Sequence, residues 1–138
     1  MSEFSWPVRV YYEDTDAGGV VYHANYLRFM ERGRTEWLRA LGFDQRRMAE
    51  EQGVVFAVRR ATTEFIVPAV LDDELLVLTG IGRRARVSMT FEQRIIRQDD
   101  GVLLCSAENQ VASLNAGTFR PCPVPATIIR AMEGDGER

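Results

Sequence analysis

Three carboxylates, a double glycine, the single histidine and an asparagine fall in one short run: Glu13-Asp14-Thr15-Asp16-Ala17-Gly18-Gly19-Val20-Val21-Tyr22-His23-Ala24-Asn25. Each has an ordinary structural use. Asp14 and Asp16 suit turns. Gly18 and Gly19 relieve backbone strain. Asn25 suits a helix N-cap, and a lone histidine commonly serves as a hydrogen-bonded structural residue. Their combination points to chemistry. A glycine-rich turn entering a helix aims unpaired backbone N–H groups at one spot. The helix dipole adds about half a positive charge there. That spot stabilises a developing oxyanion, and a carboxylate a few residues upstream can face it from the loop. An anion-stabilising corner plus a base or nucleophile is the minimum equipment for acyl transfer or hydrolysis.

The flanking segments must hold this run in place. Trp6 to Tyr12 reads as a strand with Trp6, Val8, Val10 and Tyr12 on one face. From about His23 to Leu41, Tyr26, Phe29, Met30, Gly33, Trp37 and Leu41 recur three and four apart, the spacing of a helix with one apolar stripe. Arg32 and Glu36 are spaced to pair on its outer face, and Gly42 suits the C-terminal end. Gly33, inside the stripe, is expected to let another backbone come close. A shorter helix is expected over Asp44 to Glu51. Strands follow over Val54 to Ile66, Glu74 to Ile81, Arg84 to Ile96 and Val102 to Leu114. Gln98-Asp99-Asp100-Gly101 supplies a hairpin turn. In the third of these, Ala85, Val87, Met89, Phe91 and Ile95 alternate with Arg84, Arg86, Ser88, Thr90, Glu92 and Arg94. A short terminal helix follows Pro121, Pro123 and Pro125. The order predicts an α+β fold: an antiparallel sheet packed on one long helix. Residues 1–138 are expected to form a single domain, with 133–138 as a frayed tail.

Composition narrows the chemistry. The chain has 138 residues and a net charge of −3, too balanced for a nucleic-acid-binding protein. All 17 basic residues are arginine, which removes Schiff-base and phosphate-loop lysine chemistry. One histidine and two distant cysteines, Cys105 and Cys122, do not make the usual zinc site within one chain, so no metal is expected. The cysteines read as reduced thiols of a cytoplasmic protein. Acidic Glu3 and the lack of an apolar stretch argue against a signal peptide in Met1 to Pro7. No apolar run approaches the roughly 18 residues of a membrane span.

The run Tyr11 to Tyr26, followed by Glu31-Arg32, Arg34-Thr35-Glu36 and Leu38-Arg39, closely resembles the Tol-Pal-associated acyl-CoA thioesterases, a branch of the 4-hydroxybenzoyl-CoA thioesterase family of hot-dog proteins. Weaker similarity runs through Val55 to Arg59 and Pro68 to Asp73 to about Pro121. The resemblance implies a hot-dog fold, a sheet wrapped around the long helix. It implies homodimers or homotetramers with active sites between subunits and coenzyme A in an extended groove. Asp16 matches the family's catalytic aspartate, as nucleophile or general base. His23 matches the helix position whose backbone N–H polarises the thioester carbonyl, and its imidazole ranks below Asp16. Tyr12, Gly19, Val20, Tyr22 and Asn25 are expected to contact substrate, and Asp14 to be a turn residue. Arg83, Arg84 and Arg86 are either a solvated sheet face or contacts for coenzyme A phosphates, where arginine suits bidentate recognition. No cofactor is implied beyond the coenzyme A of the substrate. The expected activity is hydrolysis of short to medium acyl-CoA. Alternatives are acyl carrier protein as the carrier, a binding role near the Tol-Pal machinery or lipid synthesis, and a helix carboxylate, Glu31 or Glu36, in place of Asp16.

Overall fold

The computed structural model describes residues 3–136. The elements run β1 (Phe4–Arg9), α1 (His23–Ala40), α2 (Gln45–Glu51), β2 (Val54–Phe65), β3 (Glu74–Arg84), β4 (Ser88–Arg97), β5 (Leu103–Asn115) and α3 (Ala126–Gly136). The five strands form one sheet in the order β1-β3-β4-β5-β2, and every neighbouring pair is antiparallel. Helix α1 packs on one face, chiefly over β1 and β3. This is the hot-dog architecture. Edge strand β1 carries Pro7; proline cannot donate to a ladder, which bars it from interior strands but is tolerated at an edge.

Alternation in β4 decides which face is core. Met89, Phe91 and Ile95 are buried with side chains of α1. At Gly33, a Cβ would lie 2.8 Å from Val77 Cγ1 and 2.9 Å from Thr79 Oγ1. Helix and sheet therefore touch there, but it is side chains of the sheet, not another backbone, that fill the space beside Gly33. Beside this contact, Gln93 Nε2 donates to the Met30 carbonyl and to Thr79 Oγ1, both at 2.9 Å. Gln93 Oε1 accepts from Asn109 Nδ2 at 2.9 Å and from Arg34 Nη1 at 3.0 Å. Burial pushes the Arg34 pKa down, against the pull of Glu31. This polar clamp divides the core into two clusters, one at each end of α1.

Several expectations need correction. β1 ends at Arg9, and a 3-10 turn over Tyr12–Asp14 replaces its last residues. Val10 is buried, whereas Tyr12 leaves the expected apolar face and is 82% exposed. Arg84 ends β3 rather than starting β4, because a register shift lies between Ile81 and Arg84. Glu36 pairs with Arg39 at 2.9 Å, and the Arg32 guanidinium sits over the Phe29 ring, 5.6 Å from its centroid. α3 includes residues 133–136 of the expected tail, while 137 and 138 lie outside the described residues. Cys105 and Cys122 are unpaired. Among the described residues, no helix is long and apolar enough to cross a membrane.

Candidate active site

The polar run folds into a tight hairpin between β1 and α1. Thr15 bridges Val21. Asp16 N–H donates to the Val20 carbonyl at 2.9 Å, and Tyr22 N–H to the Asp14 carbonyl at 2.8 Å. The tip is closed by Gly19 N–H donating to the Asp16 carbonyl at 3.0 Å. Gly19 has φ +81°, in the left-handed region where other residues are strained. The hairpin is also pinned from outside: Val20 bridges Val70, and Val21 N–H donates to the Ala69 carbonyl at 2.9 Å.

Asp16 and Asp14 sit in opposite environments. Asp16 is exposed at the tip, with Oδ1 accepting from Gly18 N–H at 2.8 Å. Asp14 is only 6% exposed. Its Oδ2 accepts from Tyr11 N–H and its Oδ1 from Asn25 Nδ2, each at 2.8 Å. Asp14 is thus more than the turn former its sequence position suggests.

Helix α1 begins with unused donors. Its N-cap, Tyr22, makes no side-chain cap bond, and its first turn holds no acidic residue. Asn25 N–H turns back to the Tyr22 carbonyl at 2.8 Å. The His23 and Ala24 amides precede any intrahelical acceptor and keep the positive end of the dipole open. The His23 ring is exposed, 4.7 Å from the Tyr22 ring and 6.1 Å edge-on from Phe65. Tyr26 lies beneath, its ring 5.6 Å from Phe65 and its hydroxyl accepting from Ala69 N–H at 3.0 Å. Burial raises the Tyr26 pKa, and the Ala69 hydrogen bond opposes that shift.

The structure therefore gathers Asp16, Gly19, Val20, Tyr22 and His23 on one hairpin-and-helix corner. Tyr12 stands exposed on the neighbouring 3-10 turn. Asn25, expected at the substrate, is 7% exposed and gives its amide to Asp14, so it supports the corner from inside. The helix N-cap is Tyr22, not Asn25. Sequence spacing does not single out Phe65, Ala69 or Val70 as site residues. The only signal is the Pro68 to Asp73 segment, whose position against the hairpin depends on folding.

A model of the thioesterase-like superfamily matches residues 10–132. The chain belongs to this superfamily. It is 46% identical over 129 residues to the acyl-CoA thioesterase YbgC of Haemophilus influenzae, covering 94% of this chain and 93% of that protein. A probable thioesterase from Bartonella henselae is 36% identical, with a TM-score of 0.84 over 90% of this chain and 100% of its own. A 4-hydroxybenzoyl CoA thioesterase in complex with 4-hydroxybenzoyl CoA has a TM-score of 0.88 over 96% of this chain and 99% of its own; at 22% identity it shares the fold.

Proposed function

We propose that the protein hydrolyses acyl-CoA thioesters to the free acid and coenzyme A at the corner formed by Asp16 and the N-terminus of α1. The observation that carries this reading is the hairpin ladder, which joins an exposed carboxylate to an uncapped helix start. The thioester carbonyl accepts a hydrogen bond from the His23 amide. As the carbon becomes tetrahedral, negative charge grows on that oxygen. One such donor is typically worth about 3 kcal/mol in the transition state. Asp16 acts in one of two ways. It attacks the carbon, expels the thiolate and leaves a mixed anhydride that water cleaves, or it takes a proton from the attacking water. The thiolate is a good leaving group, so the His23 imidazole is secondary.

Asp16, Tyr22 and His23 are exposed in the single chain, which favours a homodimer or homotetramer whose second subunit walls the acyl group. The phosphates of coenzyme A have a chemical match on the other sheet face. There a cavity of about 490 Å³ is lined by Arg60, Arg83 and Arg84 with Thr62, Ser88 and Thr90. Arg84 also pairs with Glu133 at 2.5 Å, whereas Arg83 only reaches Glu108 at 4.0 Å. Unpaired thiols fit a reducing compartment, the cytoplasm. An association with the Tol-Pal machinery rests on the sequence resemblance alone.

The deciding experiment is thiol release from a series of acyl-CoA substrates by Asp16→Asn. Loss of activity with an unchanged melting temperature is expected, since the side chain is exposed. Full activity on every substrate would refute the assignment. Running the same series on acyl carrier protein thioesters identifies the preferred carrier.

A further inference from the structure

The buried bridge between Asp14 and Asn25 has a role that neither residue shows alone. Asp14 ties its own turn to the start of α1: its Oδ2 accepts from Tyr11 N–H, its Oδ1 from Asn25 Nδ2 and its carbonyl from the N-cap Tyr22 N–H, each at 2.8 Å. Asp14 lies two residues before Asp16, and Asn25 two residues after His23. The bridge therefore spans the base of the corner, between the carboxylate and the amides that must converge on one carbonyl carbon. We propose that Asp14 and Asn25 are a pair of positioning residues that fix Asp16 relative to the His23 amide during thioester hydrolysis. This inference rests on the assignment of that corner as the reacting site.

The choice of partners supports a positioning role over helix capping. Helices usually neutralise their N-termini with a Ser, Thr, Asp or Asn cap or an early acidic residue. α1 has no side-chain cap and no acidic residue in its first turn. Asn25 supplies a neutral amide there. The charge of the bridge sits on Asp14, and both of its oxygens are occupied by donors. Displacing reacting groups by 1 Å can cost about a hundredfold in rate, so a rigid base under the hairpin matters to catalysis directly.

The test is a substitution cycle read by kcat and KM for butyryl-CoA, with melting temperature measured in parallel. Asn25→Asp sets two carboxylates against each other and opens the bridge. Its kcat should fall between about ten- and a hundredfold, while KM stays within roughly twofold, since these residues do not touch substrate. Adding Asp14→Asn restores one donor–acceptor pair with the roles exchanged. The amide introduced on the turn accepts from Tyr11 N–H and donates to the carboxylate introduced on the helix. The double variant should regain kcat to within about fivefold of the unsubstituted protein. If Asn25→Asp does not fold, Asn25→Ala takes its place against the same double variant. Single variants that lose melting temperature but keep kcat would overturn the proposal, as would a double variant that regains stability without regaining kcat. Asp16→Asn in the same assay separates the two levels. If it is inactive while the bridge variants keep full kcat, the bridge alone is refuted. If it is active, the corner and the bridge fall together.

Discussion

The two ends of α1 use the same helix for different purposes. At the C-terminal end, Trp37 and Leu38 pack with Met89, Phe91, Val111, Ile128 and Met132 in a cluster of buried apolar side chains. At the N-terminal end, buried Tyr26, Phe29 and Val21 lie under a hairpin held by backbone hydrogen bonds, with Asp16 and His23 exposed above it. The Gln93–Asn109–Thr79 clamp near Gly33 separates them. Both ends rest on apolar burial, but only the N-terminal end adds a hairpin of directional bonds, which hold polar groups at the surface above the apolar cluster. Stability and activity should therefore respond to mutation at opposite ends.

The largest stability effect expected is at the C-terminal end. Phe91 is 1% exposed and meets the Trp37 ring edge-on at 6.1 Å. Phe91→Ala should cost about 3–5 kcal/mol, measured by denaturant unfolding, while kcat of the folded fraction is retained. A large loss of kcat at full folding would break the division between the ends. At the boundary, Gly33→Ala places a methyl 2.8 Å from Val77 Cγ1. It should cost about 1–3 kcal/mol through overpacking. Because it lifts the whole helix, it should also reduce kcat, and unchanged kcat would show that the boundary insulates the site. At the N-terminal end, Gly19→Ala forces a Cβ into φ +81°, a conformation that costs roughly 1–2 kcal/mol for other residues. With no neighbour within 4 Å of that Cβ the stability cost should be limited to this strain, and kcat should fall as well because Gly19 N–H closes the tip on the Asp16 carbonyl.

Smaller effects refine the comparison. Arg60→Gln with Arg83→Gln should raise KM for acyl-CoA several-fold and leave kcat intact, with the difference shrinking at high salt. Equal KM values would remove coenzyme A phosphate from that cavity. The mildest prediction concerns Cys105, which is fully buried and whose thiol burial pushes up to about 12 from an ordinary value of 9.0. Between those pH values the unfolded chain releases this proton and the folded chain retains it. Stability is thus fully present below pH 9 and falls as pH rises toward 12. Urea midpoints measured across that range should decline less steeply for Cys105→Ala. Parallel declines would assign the slope to other groups, Tyr26 among them.

Local signals carried much of the fold. The three-and-four spacing from Tyr26 to Trp37 marked α1, and Asp44 was well placed ahead of α2, where its carboxylate caps Arg46 N–H at 2.9 Å. The alternation Met89-Phe91-Ile95 marked the core face of β4, but it skipped Gln93, which is 1% exposed. That gap was the trace of the clamp. It could not be interpreted locally, because Gln93 finds its partners on α1, β3 and β5.

The site divides in the same way. The sequence by itself determined the loop chemistry: carboxylates, a double glycine and a helix start in one run, all set by neighbours a few residues apart. Only the tertiary structure decided which aspartate is buried and which exposed, that Asn25 faces Asp14 and not solvent, that Tyr12 leaves the core, and that Phe65 lies beside His23. The physical reason is range. A turn or a helix start is fixed by bonds to residues a few positions away, whereas burial and partner choice depend on segments brought together from across the chain.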